Sequence, residues 1–253
     1  MRIQVVENAA HESEIDRSQI RGMIAISEQF WQRFSGQVSF GLNYSKGNQA
    51  TQYSLGSRTV YVRERWQAQT NFQSDLASSS GGTTSTRNEV TEIPLRLLRW
   101  NNWFYAGVGD FLQSSVRGIS LQTSLGAGVG RYLKNTNRTS IAVLGGAAWQ
   151  NTKYLQSAVP ANAPNLAAAL IYANAKFFQF SKTSLNVTAG LLPAISDPGR
   201  IRFNANASYY VKLFSNLKWN VSFYGNWDNR PPAGFSGSDY GSSSGLTWTF
   251  GLK

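Results

Sequence analysis

Gly245-Leu246-Thr247-Trp248-Thr249-Phe250-Gly251-Leu252-Lys253 closes the chain, and its reading decides the fold. Leu246, Trp248, Phe250 and Leu252 fall on one parity, while Thr247, Thr249 and Gly251 fall on the other. A period of two sends these sets to opposite faces of a strand. A half-buried strand of a soluble sheet would read the same way, so one such stretch settles nothing. The same alternation, however, can be laid backwards along the chain about a dozen times. That repetition predicts a closed antiparallel barrel with an apolar exterior, the β architecture able to cross a bilayer.

Working back from the C-terminus, a long loop from Asp228 to Ser244 contains Pro231-Pro232. Before it, the eleventh strand (about 217–227) sets Leu217, Trp219, Val221 and Phe223 against Lys218, Asn220, Ser222 and Tyr224. The tenth (about 201–213) sets Ile201, Phe203, Ala205 and Tyr209 against Arg202, Asn204, Asn206 and Ser208. The ninth and eighth lie near 183–192 and 166–179, the seventh and sixth near 139–150 and 118–132, and the fifth near 103–112. In the fourth, about 88–98, the alternation places Ile93, Leu95 and Leu97 outward and Glu92 and Arg96 inward. The third runs from Trp66, with Gln67, Gln69 and Asn71 on the inner face, and the second carries Tyr53 and Leu55 against Gln52 and Arg58. The first, from Gly36, ends in Ser45-Lys46-Gly47-Asn48, a hairpin signal because Gly and Asn tolerate positive φ. The connections after even-numbered strands are short, and those after odd-numbered ones are longer apart from the first hairpin. Outer-membrane barrels show this segregation, with short turns on the periplasmic side. An even strand count then puts both chain ends in the periplasm.

Residues 1–33 read differently from the barrel, which is taken as 34–253. They mix short apolar patches with charges, and they are too few to fold alone. The expectation is a periplasmic lead-in closed by Phe30 and Trp31 at the membrane interface, where amphipathic rings are favoured. Trp66, Trp219, Trp248 and Phe250 are expected at that interface too. Met1-Arg2-Ile3-Gln4 is not followed by the apolar run of a signal peptide, so a signal was removed or the chain start is a fragment.

Composition agrees with this picture. Charged residues are 15% and aromatics 13%, a surface suited to lipid more than to water. Mean hydropathy is −0.30, because lumen-facing residues dilute the apolar ones. No run is long enough for a transmembrane helix. The absence of cysteine excludes disulfides and thiolate metal sites. The net charge of +11 belongs to the barrel, since residues 1–33 hold four basic and five acidic side chains. Those charges are scattered singly and form no stripe for nucleic acid.

In order along the chain, three groups of residues carry a family resemblance: Phe30-Trp31-x-Arg33-x-x-Gly36, with Gly41-Leu42-Asn43-Tyr44-Ser45-Lys46-Gly47-Asn48; Gly126-Ala127-Gly128-Val129-Gly130-Arg131; and Asn229-Arg230-Pro231-Pro232, Ser238-Asp239 and the closing strand. Over roughly residues 20–253 the chain resembles the YdiY-like salt-induced outer membrane proteins. The resemblance implies a barrel in the outer membrane of a Gram-negative bacterium, and it supplies no activity or catalytic residues. The expected partners of such a barrel are outer-membrane lipid, lipopolysaccharide and the barrel-assembly machinery. The ending Gly251-Leu252-Lys253 departs from the aromatic residue on which such barrels usually finish.

Nothing in the barrel suggests catalysis. Its only candidate for a histidine base, His11, lies in the lead-in. No metal-ligand cluster, phosphate loop or nucleophile elbow is present, and no cofactor is expected. Gly126-x-Gly128-x-Gly130 lacks a strand-to-helix context and reads as close strand packing. Asp110, Asp197, Asp228 and Asp239 fall near the outer rim, as solvated loop acids or as a cation-bridging site for lipopolysaccharide. Parity assigns Arg58, Arg96, Lys176 and Arg202 to the lumen. Two readings stay open: a narrow pore preferring small anionic or polar solutes, or a plugged barrel with a structural or salt-stress role.

Overall fold

The computed structural model describes residues 2–8, 11–16, 30–45, 50–63, 65–78, 84–98, 102–136, 138–155, 164–178 and 182–251. Two strands near the N-terminus, β1 (Arg2–Asn8) and β2 (His11–Asp16), pair antiparallel in a sheet of their own. A single 3-10 turn, Phe30–Arg33, leads into the wall.

The wall is built by β3 (Phe34–Ser45), β4 (Ala50–Val62), β5 (Trp66–Ser78), β6 (Thr84–Leu97), β7 (Trp103–Ser114) and β8 (Ile119–Asn135). It continues through β9 (Thr139–Tyr154), β10 (Asn165–Phe178), β11 (Thr183–Pro193), β12 (Ile201–Lys212), β13 (Leu217–Asp228) and β14 (Ser238–Phe250). Each pairs with its sequence neighbours, and β14 pairs back onto β3 through Gly245–Gly41 and Phe250–Gly36. The twelve-stranded ring is closed, so no strand is left with an open edge. Each wall strand has 11 residues or more, enough for the roughly nine to eleven that a tilted strand needs to cross a bilayer. One end of the ring carries the connections 63–65, 98–102, 136–138, 179–182 and 213–216; the opposite end carries the longer 155–164, 194–200 and 229–237 but also the short 46–49, 79–83 and 115–118, so the expected segregation of lengths holds for the second half of the chain and not for the first.

Paired residues share a face, so the register fixes which side chains point out. On β10 to β13 the outward parity is apolar almost without break, as in Ile171–Leu191, Ala189–Ala205 and Phe203–Trp227. A surface of this kind fits hydrocarbon. Trp66, Trp219, Trp248 and Phe250 all point outward near the short-turn end and are exposed. Phe30 and Trp31 are exposed as well, their rings set against Phe34 and, for Phe30, Tyr61.

β6 departs from its sequence reading. Arg96 lies opposite Trp66 and Tyr105, and Glu92 lies opposite Thr70 and Gly109, all on the outer parity. Ile93 and Leu95, expected outside, face the lumen. The physical reason is a change of parity within the strand: Val90 is the outward apolar residue of the upper half, while Ile93 and Leu95 sit on the opposite parity. The unbroken register with β5 admits no bulge between them, so one half must violate the simple pattern. Arg87 and Glu89 above, and the packing of Leu95 against buried Phe104 and its neighbours below, hold this parity inward.

Candidate functional site

The lumen holds a cavity of about 350 Å³. Its upper part, toward the long loops, holds two ion-pair knots. In the first, Arg87 Nη2 donates to Glu89 Oε2 at 2.6 Å, and the same guanidinium lies 3.9 Å from Asp75 and 3.8 Å from Asp239. Its carbon sits 4.4 Å from the centre of the Tyr224 ring, a cation–π contact strengthened by burial. Asp239 accepts from Ser114 Oγ, and Asp110 accepts from Thr91 Oγ1.

The second knot centres on Asp228. Arg200 reaches it with Nε at 3.1 Å and Nη2 at 2.8 Å, and Arg202 Nε donates at 2.9 Å. Arg117 stands 4.0 Å away. Arg200 is 1% exposed, although it belongs to the loop 194–200. Burial disfavours its charge, yet the hydrogen bond and attraction of Asp228 outweigh that and hold its pKa above the ordinary arginine value. Nearby, Arg230 Nη1 pairs with Asp197. Of the four rim acids, Asp197, Asp228 and Asp239 are thus set against arginines in place, whereas Asp110 lines the lumen and accepts from Thr91 without an ion pair among the described residues. Among the described residues, no three potential ligands converge on a metal position.

The lower lumen is different. Arg58 from β4 and Lys176 from β10 project from strands six places apart in the ring of twelve, that is, from opposite walls. Arg58 Nη2 donates to Gln69 Oε1 at 2.7 Å, and Gln69 Nε2 donates to Asn71 Oδ1 at 2.9 Å. Asn174 donates to Asn186 at 3.2 Å, and Gln37 donates to the Tyr210 hydroxyl at 2.8 Å. Neither Arg58 nor Lys176 is in an ion pair among the described residues. The carboxylates that line the same cavity, Glu89 and Asp110, lie in the Arg87 neighbourhood above.

Of the four cations assigned to the lumen by parity, Arg58, Lys176 and Arg202 line the cavity and Arg96 does not. Arg202 is locked to Asp228, which leaves Arg58 and Lys176 as the uncompensated pair. Three features had no readable signal. Arg87 preceded the stretch where alternation becomes visible, and Arg200 folds inward from a loop that has no period. The third is an apolar patch inside the barrel, made by Phe104, Ala142, Leu144, Ala148 and Leu170. Its only trace was Gly126-x-Gly128-x-Gly130. These three glycines face inward, and a side chain there would collide with Leu170, Leu144 and Phe104 respectively. The glycines of β8 make the space that its neighbours fill.

Comparison with known proteins agrees with the architecture. The NanC porin is 11% identical, with a TM-score of 0.50 over 86% of this chain and 100% of that one. An outer membrane channel from Pseudomonas putida F1 is 13% identical, with a TM-score of 0.45 over 86% of this chain and 93% of that one. The translocator domain of the autotransporter NalP from Neisseria meningitidis is 14% identical, with a TM-score of 0.43 over 86% and 87%. At these identities the likeness is one of fold. No curated protein sequence matches the chain. The family profile described as "Protein of unknown function, DUF481" matches residues 38–250, the whole wall except the first four residues of β3, and the chain belongs to that family.

Proposed function

We propose that this barrel sits in the bacterial outer membrane, with both termini on the periplasmic side, as a narrow pore that prefers small anions. The observation that carries the reading is the Arg58–Lys176 pair, which faces across the lower lumen without a carboxylate while every other lumen cation identified above is paired. Fixed charge in a channel narrower than the screening length, about 8 Å at physiological salt, biases every ion that passes. The short-turn end faces the periplasm in this orientation, and the aromatic residues Phe30, Trp31, Trp66, Trp219, Trp248 and Phe250 form the belt on that side. Lipid and lipopolysaccharide surround the wall, and the barrel-assembly machinery inserts it.

A second reading is favoured by the two upper knots, which cross-tie β5, β6 and β14 and the 194–200 loop with β12 and β13. A lumen tied in this way suits a non-conducting envelope protein, in line with the resemblance to salt-induced YdiY-like proteins. Planar-bilayer recording under a salt gradient separates the two. The pore reading expects an anion-signed reversal potential that weakens in Arg58→Gln and Lys176→Gln and is nearly unchanged in Arg202→Gln. Cation preference would overturn the charge argument, and silence from folded protein would favour the structural reading.

A further inference from the structure

The inner wall has two chemically distinct halves. Strands β6 to β10 contribute Leu95, Phe104, Ala142, Leu144, Ala148 and Leu170, a continuous apolar surface inside the barrel. The facing half, from β11 round to β5, is lined by amides such as Asn71, Asn186, Asn204 and Asn206. Arg58 rises from the amide half, and Lys176 lies on β10 at the seam, beside Tyr172. Phe104, Ala142, Leu144, Ala148 and Leu170 are 4–9% exposed because they shield one another, and the face they turn to the cavity is a ready-made apolar contact for a bound group. The cavity of about 350 Å³ falls within the size range of small-ligand sites, which pair an apolar lining with a few convergent polar groups.

We infer that the lumen binds an amphiphilic anion, a carboxylate carrying a small apolar body, with its head between Arg58 and Lys176 and its body on the Phe104–Leu144–Leu170 wall. A bidentate guanidinium and a mobile ammonium are suited to one carboxylate. A hydrophilic anion would leave the apolar wall uncovered, and a neutral apolar solute would leave the two cations unpaired. The inference rests on the proposed access to the lumen but specifies what the pore reading leaves open.

The test is calorimetric titration of 4-phenylbutyrate, acetate and 4-phenylbutanol into the full chain in nanodiscs, with empty nanodiscs subtracted. The expected order is phenylbutyrate tighter than either comparator by about tenfold or more, which corresponds to about 1.4 kcal/mol. Arg58→Gln with Lys176→Gln should reduce phenylbutyrate to the phenylbutanol level, and Leu144→Ser should reduce it toward acetate. Equal binding of acetate and phenylbutyrate would overturn the inference, as would no binding by a barrel that conducts chloride. Phenylbutyrate binding by a barrel that is silent in bilayers would sustain the site while removing the pore.

Discussion

Gly130 shows how much a missing side chain can carry. A Cβ there would strike the ring of Phe104 and the carbonyl of Val143, whereas a Cβ at Gly145 would meet nothing within 4 Å. Gly130→Ala should therefore force Phe104 from its place and cost about 1–3 kcal/mol, while Gly145→Ala should be neutral or better in a strand. Chemical-denaturation midpoints of the two variants in micelles check this directly. Asp228 makes a second residue-level case. Removing its charge leaves Arg200, Arg202 and Arg117 gathered with only Asp197, 3.9 Å from Arg200, as counter-charge among the described residues, and breaking a buried pair from one side costs about 3–5 kcal/mol. Asp228→Asn should thus lower the unfolding midpoint more than Asp197→Asn, whose partner Arg230 is largely exposed. The glycine run was legible as close strand packing, but the role of Asp228 was not legible in the sequence. Asp228 reads there as one rim acid among four, because no local spacing announces that a loop arginine 28 residues earlier folds onto it.

At the scale of single strands, the alternation was legible wherever one parity is wholly apolar, as in β10, β12 and β13. There the outward set can be read without a partner. β14 was read only from Gly245, because Ser238, Ser242 and Ser244 on its outward parity hid its first half in the preceding loop. β6 was misread because its two halves carry opposite parities of apolar residues, and only pairing with β5 and β7 decides between them. A label on Leu95→Cys should react with a water-soluble thiol reagent from the lumen, and one on Arg96→Cys should be quenched by lipid-borne quenchers. The reverse pattern would restore the simple alternation and contradict the register of β6. The N-terminal segment is a further case. The lead-in was read as lacking regular structure, but β1 and β2 form a hairpin sheet separate from the ring. The ring closes through β14 and β3 without it, so deletion of residues 1–25 should leave a folded barrel, seen as an unchanged folded band in gel electrophoresis.

The whole molecule combines an exterior made for hydrocarbon with an interior divided by chemistry. The apolar outer parities, the closed ring and the segregation of loop lengths in the second half of the chain follow from the sequence pattern, because each depends on a period or a length. The inner division into an apolar and an amide wall does not, because short inward residues such as Ala142 and Ala148 look the same on either face of an alanine-rich strand. All of this rests on the ring being a closed barrel that resides in a bilayer. The most direct measurement is the electrophoretic mobility of detergent-extracted protein, unboiled against boiled, with its behaviour on detergent removal followed in parallel. The account predicts a heat-dependent mobility shift, because a closed ring resists unfolding by the gel detergent, and aggregation once detergent is withdrawn. A protein that shows no shift and stays monodisperse in plain buffer would contradict it.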